Sequence, residues 1–231
     1  MKRLQLLTAV LTACILFTGC VTVTSDGKPL KKEAPQSTTS KEIAQMLNDV
    51  KGEYRELDSE KTNRLVQKIS DGDIDVIKSV MNDPNSYEPP VLFAYANQVF
   101  QSGHYDTAMF WYYTAQLRAR SDANKSKDNT VQNGVTNLSK IYGTSIGQYA
   151  IEHPDNLEET MKKVLEWDEI SERKYNPKWV AILGNESKIS DKIRFVTPDQ
   201  YKIIDNEVRR GWRIGFEAAI KEIKARHNSK E

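Results

Sequence analysis

The chain of 231 residues carries 33 basic and 32 acidic side chains, a formal net charge of +1. That balance argues against a nucleic-acid binder, which needs a basic excess to displace counterions from phosphates. With 39% hydrophobic and 28% charged residues, and no composition break after the N-terminal stretch, the body suits one globular domain.

Lys2 and Arg3 open the chain, and from Leu4 to Phe17 it is apolar or small, ending in Thr18-Gly19-Cys20. A charged start, a short apolar stretch and a small-residue exit describe a secretory signal, too short for a good permanent membrane span. Phe17-Thr18-Gly19-Cys20 resembles the lipobox of bacterial lipoproteins, with phenylalanine in place of the usual leucine. The resemblance implies cleavage after residue 19, a diacylglycerol on the sulfur of Cys20 and a third acyl chain, palmitate-like, on the new amine. Leu11-Thr12-Ala13-Cys14 fits the same pattern, but cutting there would leave Ile15–Phe17 exposed. Val21, and not aspartate, follows Cys20. By the enterobacterial sorting rule this implies a lipid-anchored protein on the periplasmic face of the outer membrane.

Cleavage would leave 31 basic against 32 acidic residues, and Cys20 as the only cysteine. The domain would then hold no disulfide and no thiolate metal site. Residues 21–39 are polar, with two prolines and no sustained apolar period. They read as a flexible tether with an r.m.s. reach of about 24 Å.

Residues 40–231 read as an all-α domain, a helical bundle or short solenoid-like array of antiparallel helix pairs. Ile43, Met46, Leu47, Val50, Tyr54 and Leu57 recur at helical spacing, then Leu65, Val66 and Ile69 follow a polar break at Asp58–Glu60. Asp71-Gly72-Asp73 is a turn and cap before a short helix carrying Ile74, Ile77, Val80 and Met81, which Asp83-Pro84-Asn85 stops.

Residues 89–122 carry the most informative pattern. Two prolines open a helix with Leu92, Tyr95, Ala96 and Val99; Ser102-Gly103-His104 makes the turn. Asp106 can cap a second helix bearing Ala108, Trp111, Tyr112 and Ala115. This resembles one tetratricopeptide or Sel1-like repeat, a helix pair of about 34 residues in which small side chains let the two helices approach. Leu92 replaces the family's tryptophan, and Arg120 stands where its closing proline is common. The resemblance implies a protein-binding inner face on the first helix, here Phe93, Asn97, Phe100 and Gln101. A plain helical hairpin, with Phe93 and Phe100 as core, is the competing reading.

Further on, residues 130–152 and 155–174 read as helices separated by His153-Pro154-Asp155, the second with Leu157, Met161, Val164 and Leu165 on one side. A short strand or turn is expected around Lys178–Leu183. Thr197-Pro198-Asp199-Gln200 predicts a helix start with a threonine cap, running to about Arg226. Gly143 and Gly147, and again Gly211 and Gly215, lie four apart, which suggests that their two helices cross at the glycines.

Chemistry is sparse. Gly143-Thr144-Ser145-Ile146-Gly147 matches the serine-hydrolase elbow, which needs a strand before the serine and a helix after it. Lacking strand runs and an oxyanion segment, Ser145 is not expected to be catalytic. His104, His153 and His227 lack the spacing of zinc ligand pairs, so neither a metal nor a cofactor is expected. Arg209, Arg210 and Arg213 beside Trp212 read as a solvated face. The sequence thus points to a non-enzymatic binding lipoprotein whose partner is another protein, either a toxin effector that it neutralises as an immunity protein or a component of an envelope machine. A serine hydrolase acting through Ser145 is the remote alternative.

Overall fold

The computed structural model describes residues 52–228; the signal, Cys20, the tether and Ile43–Val50 lie outside them. The described chain is all-α. Eight α-helices succeed one another: α1 (Ser59–Ser70), α2 (Ile74–Asn82), α3 (Pro89–Gln101), α4 (Tyr105–Lys125), α5 (Val131–Glu152), α6 (Pro154–Ile170), α7 (Glu186–Ile189) and α8 (Tyr201–Asn228). Tight 3-10 turns flank them, and the only extended pairing among the described residues is an isolated bridge between Ser126 and Phe195. No described helix is long and apolar enough to cross a membrane.

Local chemistry sets the helix ends. After α1, the Gly72 N–H bonds the Ile69 carbonyl at 3.0 Å and the Asp73 N–H bonds Lys68 at 2.9 Å. Gly72 sits at φ +80°, the left-handed conformation that a paired-bond helix stop of this kind requires. Asp73 then caps α2, its carboxylate accepting from the Asp75 and Val76 N–H groups, each at 3.1 Å. The α3–α4 turn repeats the device: Gly103, φ +83°, bonds Phe100, and His104 bonds Val99.

Packing centres on α4, which touches α3, α5, α6 and α8. It is buried nearly all round, from Ala108, Met109 and Tyr112 through Ala115, Leu117 and Ala119 to Ala123, as expected of a central helix. Ala96 of α3 and Ala108 and Ala115 of α4 have no exposed surface, so the hairpin closes on small side chains. Leu157, Met161, Val164 and Leu165 bury the inner face of α6.

Several expectations change. Of the strand or turn expected around 178–183, the tight turn forms: a 3-10 helix, Pro177–Leu183, started by proline and by the Asn176 side chain accepting from the Lys178 N–H at 3.0 Å. It buries Trp179 to Ile182. α6 stops at Ile170, short of 174, and frees Arg173 and Tyr175 to turn inward while the Lys174 N–H bonds the Asn85 carbonyl at 2.9 Å. Thr197 makes no side-chain cap: a 3-10 turn, Pro198–Gln200, precedes α8, which reaches Asn228. On α2, Ile74 and Met81 face solvent and only Val80 is fully buried.

The glycine crossing does not form. A Cβ on Gly143 would overlap the Tyr112 side chain of α4, and one on Gly134 would meet Leu183, while Gly211 faces open space. Gly134 makes room for the 177–183 turn and Gly143 for an aromatic ring.

Candidate functional site

The face inferred from the repeat resemblance is not a free surface. Phe93 is 0% exposed. Its ring stacks on Tyr142 of α5 at 5.7 Å and meets Tyr112 edge-on at 5.5 Å. A side chain with no exposed surface cannot touch a partner, so Phe93 is core and α5 occupies the place a peptide would take. Asn97 is half-buried. Phe100 and Gln101 lie further along α3, at its turn end, where Phe100 is half-buried and Gln101 exposed.

That end gathers a contiguous aromatic cluster. Phe100 and Tyr105 lie 4.8 Å apart between ring centroids, Tyr105 and Tyr149 5.2 Å, and Tyr149 and His153 4.1 Å in a near-parallel stack. Tyr105 keeps 43% of its surface exposed. Asp106 sits beside the rings and does not cap α4: it accepts from the Tyr149 hydroxyl at 3.0 Å and from the Asn156 amide at 2.9 and 3.2 Å. Partial burial and the Asp106 carboxylate push the Tyr149 phenol up from its ordinary value. His153 holds its Nδ1 2.9 Å from the Tyr149 carbonyl. A carbonyl only accepts, so Nδ1 carries the proton and the other ring nitrogen is left to accept in the neutral form.

The second feature is a buried charge network that the linear reading did not foresee. Asp168 of α6 accepts from Arg118 Nε at 2.9 Å, from Arg173 Nη2 at 3.0 and 3.2 Å, and from Arg209 Nη1 at 2.7 Å. Asp122 accepts from Lys125 at 3.0 Å, the Trp179 indole at 2.9 Å and the Tyr175 hydroxyl at 3.0 Å. Asp205 of α8 pairs with Lys125 at 2.8 Å and Arg173 at 3.0 Å, and accepts from Ser121. Arg118 also lies over the Trp167 ring, 4.4 Å from its centroid, and Lys125 over Tyr201 at 5.1 Å.

Burial alone would raise the Asp168 carboxyl, but Arg173, Arg118 and Arg209 together hold it below the ordinary range. The cluster ties α4, α6, the 173–179 turn and α8 together. Arg209 belongs to it, which corrects the reading of 209, 210 and 213 as one solvated face: Arg210 and Arg213 are exposed and Arg209 is not. The signal was present in the spacing. Arg118, Asp122 and Lys125 continue the stripe of Ala108, Tyr112 and Ala115 at steps of three and four, so charges stood where core was due.

A small cleft lies between Leu57, Asp58, Thr62, Glu88, Trp179 and Ile182. There Glu88 takes a hydrogen bond from the Thr62 hydroxyl at 2.6 Å. Burial, reinforced by the Asp122 and Asp58 carboxylates, raises its carboxyl to about 7.

Ser145 is exposed in the middle of α5, within an unbroken helix from Val131 to Glu152. The strand-to-helix bend that makes a serine a nucleophile is absent at this position. His104 is exposed at the head of α4, His153 stacks on Tyr149, and no grouping of three or more His, Cys, Asp or Glu among the described residues could hold a metal ion. Comparison with protein-family models, with curated proteins and with solved structures finds no match.

Proposed function

We propose that this chain is a lipid-anchored lipoprotein of the bacterial outer membrane whose helical domain binds another protein at the periplasmic face. Within that class we favour an immunity role, neutralising an antibacterial toxin delivered into the periplasm. The observation that carries the binding reading is the turn end of the α3–α4 hairpin. It exposes the Tyr105 and His153 rings beside the Asp106 carboxylate, which pairs with no lysine or arginine among the described residues, on a helical scaffold tied by buried ion pairs. Exposed aromatics on a rigid support are the side chains that most often dominate protein interfaces. An inhibitor needs no reactive residues of its own, and tethering raises its concentration where such a toxin acts.

The anchor is supported by the lipobox-like residues around Cys20 and is tested directly. Wild-type protein should partition into the detergent phase and incorporate labelled palmitate, and Cys20→Ser should do neither; water-soluble wild type would refute it. For the immunity role, cells lacking the gene should be killed by kin that carry a toxin encoded beside it. Indifference in that competition would remove the role.

A further inference from the structure

The aromatic end of the hairpin also has a sign. Asp106 and Glu152 are both exposed, and among the described residues neither pairs with a lysine or arginine; their partners are Tyr149, Asn156 and Gln148. Asp155, one turn further, is met by Lys224 at 2.6 Å. No basic side chain other than the histidines His104 and His153 occurs in residues 101–107 or 148–158. Rings present a negative face to a cation.

We propose that this surface, Tyr105, Tyr149 and His153 around Asp106, docks an arginine-bearing segment of the partner protein. A guanidinium stacks on the exposed Tyr105 ring and pairs with the Asp106 carboxylate. Arginine fits better than lysine because its planar group can stack and hydrogen-bond at once. The inference rests on the protein-binding reading and names the chemistry that reading requires of the partner.

The test titrates the folded protein with the capped peptide Arg-Arg-Arg, followed by the NMR resonances of the Tyr105, Tyr149 and His153 rings; capped Gln-Gln-Gln and spermidine serve as controls. Saturable shifts with the arginine peptide alone are expected, fading as salt rises past the Debye regime. Tyr105→Ala and Asp106→Asn should each weaken binding about two- to five-fold, the range of one exposed cation–π or ion-pair contact. If Tyr105→Ala lowers the melting temperature, Asp106→Asn, which keeps an oxygen acceptor, decides alone.

The absence of any saturable shift up to about 10 mM peptide, a limit of weak binding, overturns the proposal. Equal shifts with spermidine or the glutamine peptide, or unchanged binding by Asp106→Asn, do the same. A toxin partner that binds wild type and the combined Tyr105→Ala, Asp106→Asn variant equally would sink this surface and leave the protein-binding reading standing. Saturable peptide binding together with no competitive effect of deletion would leave this surface standing and remove the immunity role.

Discussion

Replacing Asp168 by asparagine tests whether the charge network holds the helices together. The substitution keeps the side chain's shape but turns one acceptor oxygen into a donor facing guanidinium N–H groups. Four contacts from three arginines are affected, at 2.7 to 3.2 Å. It also leaves four cations, Arg118, Lys125, Arg173 and Arg209, against two carboxylates. Removing one partner of a buried ion pair typically costs about 3–5 kcal/mol, because the abandoned charge stays in low dielectric. Arg173 and Arg209 keep a little exposed surface and regain some hydration, which places the expected loss near the lower end, about 3 kcal/mol.

For a domain of this size each kcal/mol moves Tm by about 2–4 °C, so Asp168→Asn should melt about 10 °C lower by circular dichroism near neutral pH. A melt within about 3 °C of wild type would refute the reasoning. The acid limb checks it independently. Since the folded carboxyl titrates below its unfolded value, its stabilisation is complete above about pH 4 and disappears as pH falls through the folded value. The gap between variant and wild type should therefore close in strong acid.

Glu88 predicts the opposite pH trend: raised from 4.5 to about 7, its contribution is complete below the unfolded value and lost as pH rises through about 7. The loss amounts to about 3 kcal/mol at most. Glu88→Gln should flatten that decline in urea midpoints measured from about pH 5 to 8; a decline identical to wild type would remove Glu88 as its cause. Gly143→Ala should destabilise by about 1–3 kcal/mol, because its methyl invades the Tyr112 ring, with Cζ only 2.9 Å away. Gly211→Ala, facing open space, should instead raise Tm slightly, consistent with a helix-propensity gain of up to about 1 kcal/mol. Equal effects at the two glycines would contradict the packing described.

The helices were legible wherever a stop signal was chemical and local. Asp71-Gly72-Asp73 and Ser102-Gly103-His104 end and start helices where their residue types require it, and Pro154 restarts the chain after α5. What could not be read were the faces. The spacing that puts Phe93 on the inner side of α3 says nothing of whether a peptide or another helix of the same chain will cover it; here α5 does, through Tyr142. Likewise the spacing of Gly143 and Gly147 announces a close approach without naming the visitor, which proved to be Tyr112. The turn after α6 was opaque because its driving force is remote: Arg173 turns inward toward Asp122 and Asp205, some fifty positions before it in one case and about thirty after it in the other. Of the candidate site, Phe100 and Gln101 were read as part of an inner binding face and lie at the turn end of α3, whereas Tyr105, Asp106, Tyr149 and His153 come together with them only through tertiary contact.

The ion-pair lock draws its members from Asn85, α4, α6, the 173–179 turn and α8. A partly assembled chain lacking any one of these segments would strand a cation or carboxylate in a nonpolar interior. Half-folded species are thereby penalised, and unfolding should follow a single sigmoid, with coincident transitions by far-UV and tryptophan signals. By the same logic a chain cut before Asp205 removes one of the counterions shared by Lys125 and Arg173, so losing the last helix carries a cost in the middle of the molecule.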